Sequence, residues 1–300
     1  MTRTLPAAAL ALSLTSPTLA LADDISRIAV ISAFEPEWVL LQDRLEGRED
    51  QMINGNRFVT GTLEGVDVVL FLSGVSMVNA AMTTQLALER FSVDGILVSG
   101  IAGGVDPDLG IGDVVIAERW GQYLDMIYAR ETEDGFAIPP WMSSDFDNFG
   151  MMFVRNVAVA YDGSDGFEER FWFDTDPMFL ETARGVAEDI GLQDCDDDSN
   201  CLTDPPQVVI AEHGVSGSAF VDNAAFREWV FDTFDASVLD METAAIAHVA
   251  LANDAPFIAF RSLSDLAGGG DEDNEMQTFM SLAANNSAEL VTAFLSALDD

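Results

Sequence analysis

The chain has no lysine: its 13 basic residues are all arginine, set against 52 Asp and Glu, for a net charge of −39. A surface so short of cations cannot gather nucleic-acid phosphates or anionic headgroups. A sequence-independent grip on nucleic acid and an electrostatically bound membrane surface are therefore excluded. Cysteine is scarce as well: two residues supply neither a disulfide framework nor a four-thiolate zinc site. The two histidines, His213 and His248, are far apart in sequence and add little to a metal case. Beyond the N-terminus the uncharged stretch at 68–88 is broken by Ser73, Ser76, Asn79, Thr83, Thr84 and Gln85, so no membrane span is expected. What remains is ordinary globular material, 300 residues at 49% hydrophobic and 22% charged, enough for one large domain or two small ones.

Residues 1–22 read as an export signal. Arg3 supplies the positive end, Leu5 to Leu14 is apolar apart from Ser13, and Ala20-Leu21-Ala22 gives the small-x-small pattern before a mature start near Asp23. A periplasmic or secreted protein is the expectation. An oxidising compartment would let Cys195 and Cys201, which bracket an acidic polar loop, pair with each other.

Strands and helices then alternate. Arg27–Ser32 is a short β-branched run, and Glu35–Leu45 has helical spacing. Arg57–Leu63 and Val66–Leu72 form a hairpin through Glu64-Gly65, and Val78–Phe91 is an amphipathic helix. Gly95–Ser99 is a buried-type strand that enters a Gly-rich turn, Gly100–Gly104, with another strand at Asp113–Ala117. From Trp120 to about Pro177 the periodicity fails in an aromatic, acidic stretch that reads as an elaborated insertion. Helices are predicted near Met178–Ile190, Asn223–Asp232, Thr243–Asn253 and from about Glu275; strands at Gln207–His213, Ser237–Leu239 and Pro256–Ser262. This order predicts a three-layer α/β/α single domain, residues 23–300, around a twisted, mixed, largely parallel sheet.

Ligands of such sheets gather at the carboxyl ends of strands. Four unusual strand ends stand out: Ala33–Trp38, Ser99–Gly104, Leu239–Thr243 and Arg261–Asp265. Each alone has a plain explanation, such as a first-turn carboxylate for Glu37 or an N-cap for Asp265. The Gly-rich turn lacks the spacing of a phosphate loop. Their conjunction in one order is what carries weight.

Together AFEPEW (33–38), SGIAGGVDPDLGIGDVVIA (99–117), SGSAFV (216–221), LDMETAAIAHVA (239–250) and FRSLSDLA (260–267) resemble the motifs of the nucleoside phosphorylase superfamily. They are most similar to its 5′-methylthioadenosine/S-adenosylhomocysteine nucleosidase branch. The resemblance implies that Asp265 protonates purine N7, that Glu37 orients and deprotonates the attacking water, and that Arg261 sits beside them. It implies that Glu242 grips the ribose hydroxyls, with the Met241 backbone along the sugar. Phe220 would stack on the base, the Val221 backbone would read its edge, and Ala102, Gly103 and Ser264 would complete the pocket. It also implies a homodimer and a small-molecule purine nucleoside as the partner, and no metal or organic cofactor, since protons, water and positioned carboxylates suffice for that chemistry.

The sequence departs from that pattern in places. Ile101 stands where a hydroxyl residue is frequent, Phe34 replaces a more flexible residue, and the 120–177 insertion is long, which bears on the 5′-substituent pocket and on dimer contacts. Asp94–Asp113 contains no basic residue, and the loop after the first strand offers Glu35 and Glu37. A phosphate dianion would need an arginine clamp there, so water is favoured as the nucleophile. A phosphate-dependent phosphorylase and a catalytically weak nucleoside-binding or storage protein remain alternatives.

Overall fold

The protein is described by a computed structural model covering residues 25–196, 199–269 and 274–298; the expected export signal at 1–22 lies outside the described residues. The strands of the main sheet are β1 (Ser26–Ser32), β2 (Glu46–Ile53), β3 (Asn56–Leu63), β4 (Val66–Leu72), β5 (Ser92–Gly104) and β6 (Val114–Gln122). Six three-residue strands follow in the insertion: β7 (Met126–Tyr128), β8 (Arg130–Thr132), β9 (Gly135–Ala137), β10 (Met152–Val154), β11 (Val157–Val159) and β12 (Glu168–Arg170). The chain returns to the sheet with β13 (Trp172–Asp174), β14 (Val208–Ser216), β15 (Ala236–Asp240) and β16 (Phe257–Asp265). The helices are α1 (Val39–Arg44), α2 (Met77–Arg90), α3 (Pro177–Ala187), α4 (Ala224–Phe234), α5 (Thr243–Ala252) and α6 (Met276–Leu298).

The sheet runs β13-β6-β14-β15-β5-β1-β4-β3-β2, with β16 joining β5 to β6. The pairs β1–β4, β1–β5, β5–β16, β6–β14 and β14–β15 are parallel, whereas β15–β5 and β16–β6 are antiparallel. Strands β5, β16, β6, β14 and β15 thus close a ring at one end of an otherwise open sheet. Alternation decides the layers: Ala29 and Ile31 of β1, with Val69 and Phe71 of β4, join the core under α2 and α5. Ile28 and Val30, with Val68 and Leu70, face the core under α1, α3 and α6. Helices therefore cover both faces, as the sequence predicts. Helix α3 starts on an Asp176 side chain that accepts from the Met178 and Phe179 amides, with Pro177 in the first turn.

Four local expectations are corrected. The helix expected over Glu35–Leu45 is a short 3₁₀ turn at Glu35–Glu37 followed by α1, because Pro36 and the Glu37 side-chain bonds hold the first turn tight. Residues 46–53 form an edge strand that the sequence pattern hides: EGREDQMI has no apolar alternation, and pairing with β3 alone makes it a strand. Gly100–Gly104 is no turn but the second half of β5, bending from β1 toward β15. The insertion is narrower than 120–177, since β6 runs to Gln122 and β13 pairs back onto it. Its aromatics (Phe146, Phe149, Phe171) pack against α4 residues Phe226, Trp229 and Phe234. Cys195 and Cys201 are disulfide-bonded.

Candidate active site

The carboxyl ends of β1, β5, β15 and β16 converge on one cavity of about 370 Å³. Glu37 reaches it from the 3₁₀ turn after β1. Its Oε2 accepts from the Ala33 and Phe34 amides, and its Oε1 accepts from the Ile101 amide of β5 at 2.8 Å. Burial pushes its pKa up, against the opposing pull of Arg261 and those amides.

Arg261 is wholly buried where β16 lies beside β5. Its Nε meets Asp240 Oδ2 at 2.7 Å, its Nη2 lies 3.4 Å from Glu242 Oε2, and its Nη1 lies 3.6 Å from Glu37 Oε1. The same Nε donates to Thr243 Oγ1 at 2.9 Å. Burial alone would depress the guanidinium, but these carboxylates hold it above its ordinary value. One cation on β16 thus ties together acids from the ends of two other strands, β1 and β15.

Glycine is required at position 100 for that reason. A Cβ there would overlap Arg261 Nη1 and the Glu37 carboxylate. Gly100→Ala is expected to destabilise the fold by about 1–3 kcal/mol through overpacking. It should also lower kcat/KM by at least about tenfold, by displacing the Glu37–Arg261 pair. Denaturant melts and activity assays of the purified variant check both.

Glu242 stands at the mouth of α5. Its Oε1 accepts from the Ser76 amide at 2.8 Å, and burial pushes its pKa up to about 7. Asp265 ends β16 on the opposite wall, only 3% exposed. Its Oδ1 accepts from the Ala267 amide at 2.8 Å, and its Oδ2 accepts from Ser264 Oγ at 3.0 Å. Burial again raises the pKa, and those hydrogen bonds lower it less. Among the described residues no arginine is paired with it. The two acids most separated along the chain therefore differ in electrostatics: Glu37 faces a guanidinium, whereas Asp265 is held by neutral donors with the Asp222 carboxylate nearby.

Nine of the ten residues expected in the site line this cavity: Glu37, Ala102, Gly103, Phe220, Val221, Met241, Glu242, Ser264 and Asp265. The tenth, Arg261, lies behind the wall and acts through the carboxylates it contacts. Phe220 lines the cavity while 57% exposed. Four further participants were not foreseen. Asp240 receives Ser216 Oγ, Thr243 Oγ1 and Arg261 Nε, and so anchors the cluster. Its sequence signal is an acid that ends a buried strand, two residues before Glu242. Ser76 acts through its amide from a left-handed backbone, φ 83°, which no sequence pattern reveals. Val75 and Met276 add apolar wall. His248 stacks on Phe173 and contacts Gln122, and His213 stacks on Trp172; neither lines the cavity.

A ringed, three-layer α/β sheet with acids at its carboxyl ends defines the nucleoside-cleaving phosphorylase class, and the family model for the Phosphorylase superfamily matches residues 27–296. The 5′-methylthioadenosine/S-adenosylhomocysteine nucleosidase of Geobacillus thermodenitrificans (strain NG80-2) is 33% identical over 275 residues, covering 90% of this chain and 96% of that protein. The nucleosidase of the same name from Neisseria meningitidis, solved in complex with methylthio-immucillin-A, superposes with a TM-score of 0.67 at 25% identity, covering 91% of this chain and 100% of that one. Futalosine hydrolase of Helicobacter pylori strain 26695 shares the fold at a TM-score of 0.65 and 20% identity, covering 90% of this chain and 97% of that one. The chain belongs to the 5′-methylthioadenosine/S-adenosylhomocysteine nucleosidase family of that superfamily. It is an N-glycosidic hydrolase of that family.

Proposed function

We propose that the protein is an exported enzyme that hydrolyses 5′-methylthioadenosine and S-adenosylhomocysteine to adenine and the corresponding thioribose. The observation that carries this reading is that Glu37, Glu242 and Asp265 share one cavity although they come from three distant stretches of chain. Cleavage of the glycosidic bond develops positive charge on the ribose and negative charge on the departing base. Asp265, kept protonated to higher pH by burial, donates to N7 and makes adenine a neutral leaving group. Glu37, also raised by burial, takes a proton from water at the anomeric carbon, in the manner of the base of an inverting glycosidase. Glu242 accepts from the ribose hydroxyls, and its ionisation near neutral pH is supported by Arg261. Phe220 covers the base while the Val221 backbone meets its edge.

Water rather than phosphate is favoured by the lining. Among the described residues around the cavity none is basic, and four are acids: Glu37, Asp240, Glu242 and Asp265. The guanidinium behind them already faces three carboxylates. A phosphate dianion would enter a repulsive field with no free clamp.

Export is supported by the leader pattern at 1–22 and by the bonded cysteines. N-terminal sequencing of protein recovered outside the cytoplasm should begin near Asp23. A homodimer belongs to the same proposal; exposed Val78 and Met82 on α2 offer it an apolar surface, and light scattering decides it. The central test is incubation with methylthioadenosine, S-adenosylhomocysteine, adenosine and inosine, each with and without phosphate. Free adenine with reducing sugar, independent of phosphate, is expected. Strict phosphate dependence would make it a phosphorylase, and binding without release of base would make it a carrier.

A further inference from the structure

A second cavity, about 440 Å³, adjoins the nucleoside cavity and shares Ala33, Phe34 and Val75 with it. The walls of the first cavity assign which end of a nucleoside faces this junction. The base is held at Asp265 and Phe220, and the hydroxyls at Glu242. The apolar side formed by Phe34, Val75 and Met276 is left for the 5′-substituent. Beyond Phe34 and Val75 the chemistry changes. The second cavity is lined by Glu35, Trp38, Asn56 and Arg57. No basic side chain lines the nucleoside cavity or the cavity on its other flank beside Met77 and Gln122.

Arg57 is held for use. Its Cζ lies over the Trp38 ring at 5.5 Å, its Nε bonds Asp50 and its Nη1 contacts Gln42 at 3.3 Å. Its Nη2 has no partner among the described residues. Asp50 is shared with Arg48 at 3.4 Å, so two guanidiniums face this one carboxylate. Glu35 is the complement: its Oε2 accepts from Trp38 Nε1 at 2.8 Å, and its Oε1 is unpartnered among the described residues. A guanidinium donor and a carboxylate acceptor on either side of one indole match a zwitterion.

We propose that this second cavity is a subsite for an α-amino acid carried on the 5′-thioether, with Arg57 taking its carboxylate and Glu35 its ammonium. The proposal rests on the nucleosidase reading above and adds to it the side chains that select the larger substrate. The sulfur and its methylenes pass between Phe34 and Val75, and the polar end is received outside.

The experiment compares kcat/KM for S-adenosylhomocysteine, for methylthioadenosine, and for the adenosine thioether bearing a 3-aminopropyl group, which lacks the carboxylate. In Arg57→Met the ratio of S-adenosylhomocysteine to methylthioadenosine is expected to fall by about tenfold, carried by KM, the loss of one charge-assisted hydrogen bond. Arg57→Lys should restore part of the ratio, and the aminopropyl compound should not discriminate wild type from Arg57→Met. Glu35→Gln should weaken the aminopropyl compound and S-adenosylhomocysteine together. An unchanged ratio in Arg57→Met, or an equal loss for all three substrates, overturns the subsite while leaving the nucleosidase reading intact. Failure of the wild-type protein to cleave any of the three overturns both.

Discussion

Asp265→Asn is expected to lower turnover of methylthioadenosine by about 10²–10⁴-fold, the contribution of a positioned general acid. The dissociation constant for the nucleoside should change by less than about threefold. The substitution keeps shape and one acceptor: the amide oxygen still receives the Ala267 N–H, and the Ser264 hydroxyl has only to turn. What it removes is the proton. The carboxyl is poised to hold one because burial raises its pKa and, among the described residues, no guanidinium pairs with it, in contrast to Glu37 across the cavity. Single-turnover rates and equilibrium binding of a non-cleavable nucleoside analogue separate the two effects. A rate within a few-fold of wild type would remove Asp265 from the acid role, and the leaving base would then have to depart as an anion.

The two acids show how far the sequence could be read and where it stopped. Glu37 and Asp265 were legible because each belongs to an unusual segment at the end of a short strand, and such strand ends recur in one order along the chain. The layers were legible because Ile28, Ala29, Val30 and Ile31 alternate between two buried faces. Strand β2 was not, since an exposed edge strand needs no apolar period when its neighbour supplies the ladder. Gly100 was misread as a turn residue. Its glycine answers to two side chains, Glu37 and Arg261, that arrive from more than sixty residues away on either side. Ser76 was invisible because its contribution is an amide, which every residue but proline possesses. Contacts that depend on residue type at a strand end can be read in one dimension; contacts made by backbone or by distant side chains need the fold.

Arg261→Met is expected to cost about 3–5 kcal/mol of stability and to abolish activity, the largest structural effect of any substitution in the site. Methionine fills a similar volume, so the loss is electrostatic: Asp240, Glu242 and Glu37 would remain buried with no counter-charge. The pH dependence identifies the cause. Glu242 already has its pKa raised to about 7 against an ordinary value of 4.5, and Glu37 is raised as well. The folded protein therefore binds protons more tightly than the unfolded chain through these two groups, so their contribution is most favourable at low pH and is lost as pH rises through about 7. Without the guanidinium both pKa values move further up, and the window of lost stability widens above neutrality. The urea midpoint of Arg261→Met should therefore lie well below that of wild type at pH 8 and approach it at pH 5.5. A gap that stays constant between those two pH values would mean that Arg261 supports the fold by packing, and that the carboxylates do not depend on its charge.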